Sequence, residues 1–416
     1  MNESASLAPV TGADRIQALD VVRGFALLGI LLMNIEGMAG PLMASMTGLD
    51  PQLTGADRWV DGAIYLLVQG KFYPLFSMLF GMGFAVMLMR AEAAQRPFFG
   101  LYLRRVLALL AIGLAHALLV WSGDILVTYA LMGFLLLLFF RRTPQSRLPK
   151  WGIALMLVPA VLTLSLGLLG SAMQAMPEAA RAGFDEAMAR QAVQMAAEID
   201  SQRQAYGSGS FAEATVQRLH DFTSMIGFIL IYGAFILGLF LVGAWFARSG
   251  AIARPGEFER LHWRLRWVAL PVGLAMVGVS FWLEPTLDFG RLDLRASTAQ
   301  VLQMLGGAVM ALGYLGWVLR GLQCPAVAGG LNALAPAGRM ALTNYLLQSL
   351  VMTTLFFGYG LGWFGQLPRA WQPLLVLAFF GLQVALSQWW MARFRFGPAE
   401  WLWRAATYAQ RPPMRR

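Results

Sequence analysis

Charge is scarce in this chain of 416 residues: Asp, Glu, Lys and Arg together make up only 13% of it, while 58% of its residues are hydrophobic. An ordinary soluble domain is about one-quarter charged, so that class is excluded. Cysteine is scarcer still. A single residue, Cys324, permits no intramolecular disulfide, and no CxxC pair exists. With only His116, His220 and His262 available, no Cys/His cluster has metal-ligand spacing, and no metal is expected. A GxSxG nucleophile elbow and a nucleotide fingerprint are also missing. Gly81-Met82-Gly83 and Gly306-Gly307 lack the strand-turn-helix context and the Lys of a phosphate loop. They suit close approach of membrane helices.

What the chain has in abundance is apolar length. Mean hydropathy is +0.59, and a membrane span needs about 20 apolar residues. Ten segments qualify, at roughly 17–39, 71–90, 102–121, 125–140, 151–172, 224–246, 267–283, 299–319, 340–358 and 371–391. The fourth is short enough to be half of a tight hairpin with the third. The expected fold is an all-α polytopic transmembrane bundle of about ten spans. The first span reads as uncleaved, since its apolar run is long and no basic region precedes Arg15.

The net charge of +10 could suggest nucleic acid, but 23 of the 32 Lys and Arg residues fall in alternate loops. That asymmetry is the positive-inside pattern and places both termini in the cytoplasm. It accounts for the charge without a nucleic-acid partner. The partner it implies is a lipid bilayer.

Four regions follow. Residues 1–172 form an N-terminal five-helix half, 173–222 a polar extracytoplasmic insertion, 223–396 a C-terminal five-helix half, and 397–416 an interfacial helix with a cytoplasmic tail. The insertion carries seven acidic residues against four Arg and reads as two outer helices. Pro177 can open the first, the Gly207-Ser208-Gly209 stretch breaks it, and Ser210 with Glu213 has capping-box spacing for the second. A solvated helical cap is the plain reading, with a substrate lid as the alternative. Segment 57–70, too short to span, is expected at the outer surface before Lys71. Glu257 to Trp267, and Glu400 to Arg404 with Trp401 and Trp403, read as interfacial anchors, Glu400 and Arg404 being i,i+4 partners.

Polar groups inside spans are costly and mark candidate sites. Asp20, Arg23 and Asn34 fall within about 60° of one another on the first helix, and Glu36 follows at its outer end. They form a stripe that either lines a substrate cavity or orients the helix. On the third helix Arg105 precedes His116 by eleven residues on the same face. An imidazole there acts as a general base or as an interhelical hydrogen-bonding group. Asp124, just beyond the short Trp121-Ser122-Gly123 turn, would either orient His116 or cap the next helix. The ninth helix carries Arg339, Thr343, Asn344, Tyr345, Gln348 and Ser349, as glue between helices or as cavity lining. Arg23, Arg104, Arg105 and Arg339 form an inner group whose guanidinium geometry matches phosphate.

The opening Arg15-Ile16-Gln17-Ala18-Leu19-Asp20-Val21-Val22-Arg23-Gly24, with Asn34-Ile35 following, resembles the YeiB family of bacterial inner-membrane proteins. Phe76 to Gly83, His116 with Trp121 and Gly123 to Leu126, Gly338 to Met340 with Leu342 to Tyr345, and Gly397-Pro398 with Glu400 to Arg404 extend the match over nearly the whole chain. The C-terminal half is similar to the domain of unknown function 418. The family is described as transport-associated, and its first helix resembles transmembrane acyltransferases that share an Asp-x-x-Arg-Gly opening. Acyltransferase-3 proteins carry a histidine eleven residues after that arginine, where this chain has Asn34. The heparan glucosaminide N-acetyltransferase has an asparagine there and its catalytic histidine eleven residues later, where this chain has Ser45. Transfer chemistry in this chain therefore requires His116 to take over. The resemblance implies an acyl-CoA cosubstrate, no tightly bound cofactor, a small-molecule or lipid-linked acceptor reached from the outer side, and a multi-pass location in the bacterial inner membrane. The alternative is a transporter whose polar stripes line a solute path.

Overall fold

Fifteen labelled helices give the architecture of the computed structural model, which describes residues 16–416. Arg15, and with it the very start of the chain whose side the charge pattern assigns, lies outside the described residues. Among the described residues there is no β-strand, only two isolated bridges, Gly48 to Thr286 and Phe394 to Arg415. In chain order the helices are α1 (Gln17–Ala39), α2 (Gly55–Leu67), α3 (Phe72–Ala93), α4 (Phe99–Leu119), α5 (Leu126–Leu135), α6 (Leu148–Gln174), α7 (Glu178–Gly207), α8 (Phe211–Ser224), α9 (Ile226–Ser249), α10 (Glu259–Arg264), α11 (Leu270–Leu283), α12 (Leu294–Leu322), α13 (Ala341–Phe356), α14 (Gln372–Arg393) and α15 (Pro398–Tyr408). A π-helical turn, Leu136–Phe140, extends α5, and another, Leu265–Ala269, joins α10 to α11.

Among the described residues, eight helical stretches are long and apolar enough to cross a membrane. They account for eight of the ten expected segments. The fourth and ninth, Leu126–Phe140 and the 16-residue α13, are helical but shorter. The protein is a polytopic helical membrane protein. The fourth segment is indeed the return arm of a hairpin, since α4 packs on α5 across the Val120–Ile125 turn.

Lipid is as apolar as Leu, so close packing rather than burial from water holds membrane helices together. The glycines serve that packing. A Cβ on Gly81 of α3 would strike the Phe240 carbonyl of α9, and one on Gly243 of α9 would strike that of Met78. The α3–α9 crossing is therefore backbone against backbone. In the same way Gly338, in the short helix Ala335–Arg339, lies against the Asp20 carbonyl of α1. Outward, Val161 of α6 (60% exposed) and Trp282 of α11 (78%) present apolar surface that only lipid would cover.

The polar insertion folds as its sequence signals require. Pro177 precedes α7, and the chain breaks after Gly207. Ser210 and Glu213 form a complete capping box: the Ser210 N–H donates to Glu213 Oε2 at 2.7 Å, and the Glu213 N–H donates to Ser210 Oγ at 3.3 Å. Its second helix is more than a solvated cap. Buried Arg218 donates to the Leu118 and Val120 carbonyls that end α4, at 2.9 and 3.4 Å, a favoured place for a cation. Asp221 accepts from Ser122 Oγ (2.8 Å), Tyr206 Oη (2.5 Å), Gln202 Nε2 (3.0 Å) and Gln217 Nε2 (2.9 Å). These bonds clamp α7 and α8 onto the turn that carries Asp124.

Two buried cations brace α1 to α3 and α14. Arg369, before α14, pairs with Glu36 at 2.7 Å and with Asp61 of α2 at 2.8 Å. Lys71 is fully buried and donates to the Tyr65 and Gln69 carbonyls, both at 2.6 Å, which satisfies the end of α2.

Candidate active site

We call the end of the bundle bearing Arg23 the inner end, after the charge pattern. A cavity of ≈ 180 Å³ opens there, between α1, α3, α4, α13 and α15. Its lining carries Arg23, Arg105, Arg339 and Arg404 with Glu400, alongside apolar and aromatic residues such as Leu27, Phe80 and Tyr129, and Tyr345. A second cavity of ≈ 380 Å³ occupies the outer half. Among the described residues, Asp124 and Glu284 are the only carboxylates on its wall, which carries no Lys, Arg or His. Asn34, Gln300 and Gln303 contribute neutral polar groups, among aromatic rings such as Trp121 and Tyr73. Ile125 belongs to both linings.

Beside this junction Asp124, on the wall of the outer cavity, meets His116, which lines neither cavity. The His116 Nδ1 to Asp124 Oδ2 distance is 2.7 Å, and both side chains are almost fully buried. The other carboxylate oxygen, Oδ1, accepts the Val127 N–H of the first turn of α5 at 2.8 Å. Asp124 thus performs both roles that the sequence left open. Because a carboxylate accepts, Nδ1 carries the proton and a neutral imidazole keeps its lone pair on Nε2. That atom is buried with no hydrogen-bond partner among the described residues, and the ring of Tyr345 lies beside the imidazole. The two rings lie 5.2 Å apart, and the nearest polar surroundings of Tyr345 are Asp124 and the Ile125 backbone. A buried acceptor left unmet is costly unless a ligand satisfies it.

The remaining sequence candidates divide sharply. Arg23 and Asn34 line the inner and outer cavities respectively. Asp20 is buried and accepts from Arg23 Nη1 at 3.0 Å. Glu36 turns to Arg369 at the outer end and is absent from both linings. Thr343, Asn344 and Gln348 also lie outside both. Thr343 bonds Glu400, Asn344 Nδ2 donates to Ser387 Oγ at 3.0 Å, and Gln348 Nε2 donates to Gln383 Oε1 at 2.9 Å. They are glue between α13, α14 and α15. Arg104 is exposed while its neighbour Arg105 lines the cavity. Adjacent helical residues point about 100° apart, so both could not face inward.

The C-terminal helix has contacts that the sequence reading did not show. Expected as an interfacial anchor, α15 walls the inner cavity with Glu400, Trp403 and Arg404. Trp403 stacks its ring 3.6 Å from the Arg105 guanidinium and donates Nε1–H to the Arg105 carbonyl at 2.8 Å. Glu400 accepts the Leu342 and Thr343 N–H groups at 2.6 and 3.2 Å, capping α13. Burial pushes its carboxyl above the usual carboxylate range, against the opposing pull of those bonds. Tyr345 is, in sequence, only one polar position among several. Nothing in helical spacing shows that its hydroxyl ends beside a histidine from another helix.

The fold and the paired cavities define a multi-pass helical membrane protein with a buried polar site between two chambers. Comparison with known proteins then places it. Residues 246–410 match the family model described as a protein of unknown function (DUF418). The chain is 33% identical to the uncharacterized protein YxaH of Bacillus subtilis (strain 168), over 99% of this chain and 98% of that one. It is 32% identical to the uncharacterized protein YeiB of Escherichia coli (strain K12), over 95% and 96% of the two chains. It belongs to the YeiB-like DUF418 family. No solved structure matches it.

Proposed function

We propose that this protein is an acyltransferase of the bacterial inner membrane that passes an acyl group from a cytoplasmic acyl-CoA to an acceptor in the outer cavity. The observation that carries the reading is the buried His116–Asp124 pair beside the junction of an arginine-lined cavity and a cavity that has no basic group among the described residues. Arg23, Arg105, Arg339 and Arg404 receive the donor's phosphates. Eleven residues separate Arg105 from His116, ~16 Å along the helix axis, so the donor needs an extended arm between its anionic end and its reacting carbon. Acyl-CoA has that form. Arg404, rather than Arg104, completes the group.

In the reaction, His116 Nε2 takes the proton from an acceptor hydroxyl or amine as its oxygen or nitrogen attacks the thioester carbonyl. Tyr345 donates its O–H to the developing oxyanion. The carbon–sulfur bond then breaks, and the departing CoA sulfur recovers the proton from Nε2. Asp124 holds the imidazole in the tautomer this requires. A positioned base contributes about 10²–10⁴-fold and an oxyanion donor about 10²–10³-fold.

The test uses purified protein, radiolabelled acetyl-CoA or a longer acyl-CoA, and release of the free CoA thiol. His116→Ala should abolish transfer while donor binding persists, and Arg23→Ala should weaken donor binding. Tyr345→Phe should lower kcat by about 10²-fold with KM retained. Two chambers sharing one wall residue also describe an occluded solute path. Protein in liposomes that neither binds nor cleaves acyl-CoA but moves a solute would replace the transferase reading with transport.

A further inference from the structure

A third pocket, of ≈ 530 Å³, lies apart from both cavities, at the inner end where α10 packs against the end of α12. Arg260 and Arg264, one helical turn apart on α10, join Arg266 and Arg320 in its wall, opposed there only by Glu259. Among the described residues none of the four arginines has an ion-pair partner, and Arg320 reaches only Gln323 Oε1 at 3.5 Å. The like charges of Arg266 and Arg320 therefore repel across the pocket. Charge that serves only to orient a protein in the membrane has no reason to gather around a recess.

His262 forms part of the same wall and is 4% exposed. Its Nε2 lies 3.0 Å from the Ala251 carbonyl, which can only accept, so Nε2 carries the proton. The opposite nitrogen, Nδ1, is buried with no hydrogen-bond partner among the described residues. In a neutral ring it is an acceptor waiting for a hydroxyl. Trp263 of the wall is substantially exposed, as are Trp267 and Trp317 outside the lining, which meet edge to face at 5.2 Å. Exposed tryptophans at a helix end mark the headgroup layer.

We propose that this pocket binds the headgroup of an anionic phospholipid of the phosphatidylglycerol type. The arginines take the phosphodiester, whose planar oxygen pair their forks match. Nδ1 of His262 accepts a glycerol hydroxyl. Basic pockets between membrane helices recognise lipid headgroups through this charge pairing. A headgroup ending in an ammonium would bring a cation into a wall with three net positive charges, so phosphatidylethanolamine and phosphatidylcholine are disfavoured.

Native mass spectrometry of the purified full chain, exchanged into micelles doped with one lipid at a time, reads the bound fraction directly. Phosphatidylglycerol should be retained at least tenfold more than phosphatidylcholine, and the Arg266→Gln/Arg320→Gln variant should lose that preference. His262→Phe should erase the preference for phosphatidylglycerol over phosphatidic acid, which lacks the glycerol headgroup. If the double variant does not fold, Arg260→Gln/Arg264→Gln, altering two exposed side chains, carries the test with an expected loss of threefold or more. Equal retention of all lipids, or unchanged preference in every folded variant, overturns the assignment. So does displacement of phosphatidylglycerol by millimolar inorganic phosphate, which would make the pocket a free-anion site.

Discussion

Replacing Asp124 by asparagine separates its two roles, because the side chain bonds two different partners through its two oxygens. In Asp124→Asn the amide oxygen can still accept the Val127 N–H and keep the first turn of α5 capped. The amide NH2 group must then face His116 Nδ1, which has to give up its proton to accept. The imidazole is forced into the other tautomer, with Nε2 protonated and useless as a base. Folding should therefore fall by no more than about 1 kcal/mol, while turnover falls ~10³–10⁴-fold, as when a serine-protease triad loses its aspartate charge in the same way. Asp124→Ala removes the cap, at about 1 kcal/mol, and leaves buried Nδ1 unpaired, at about 1–3 kcal/mol. It should thus lose about 2–4 kcal/mol relative to wild type and be less stable than Asp124→Asn by at least about 1 kcal/mol. Thermal unfolding in detergent and CoA-thiol release, measured on both variants, decide the matter. Wild-type turnover in Asp124→Asn would refute the tautomer argument, and equal stability of the two variants would refute the dual bonding.

Other tests address parts of the structure that do not depend on catalysis. Asp20→Ala and Arg23→Ala should each reduce folded yield, with the double change milder than their sum, because either one alone strands a charge in low dielectric; an additive double-mutant cycle would show no coupling. A topology reporter fused after Gln145 should read cytoplasmic and one inserted near Ser208 periplasmic, and the same side at both would break the span count. Glu198 in α7 has its carboxyl raised by burial and then by its hydrogen bond with Asp221. A raised acid pKa in the folded state gives stability that is complete at acid pH and lost as pH rises through that raised value. The α7–α8 hairpin should accordingly resist proteolysis better in mild acid than at neutral pH, and Glu198→Gln should abolish the difference.

Sequence and structure agree where a local rule decides the outcome. The Ser210–Glu213 box, the break after Gly207 and the placement of the apolar segments on helices all follow from residues close in the chain. The polar run on α13 shows the limit. Its i,i+4 spacing identifies Thr343, Asn344 and Gln348 as groups needing partners, but glue and cavity lining share one periodicity. Only the positions of Glu400, Ser387 and Gln383 on other helices separate them. Trp403 is misread for a related reason. A tryptophan beside an arginine near the end of a chain looks the same in sequence whether it rests among headgroups or stacks on Arg105.

The most informative feature is invisible in sequence for a different reason. Neither cavity belongs to one helix, and their contrast comes from how side chains are shared out among several. Arg23, Arg105, Arg339 and Arg404 come from four separate elements that meet because Gly338 lets its short helix lie on α1 and Trp403 holds α15 on α4. Among the described residues the outer cavity has no basic group although the chain carries ten more positive than negative charges, since Arg218, Arg369 and Lys71 are each consumed in structural bonds. An anionic molecule is thus favoured on one side of Ile125 and a neutral or cationic one on the other. Asymmetry of this kind suits a reaction between two unlike substrates better than passage of one solute, which must be accommodated by both chambers in turn.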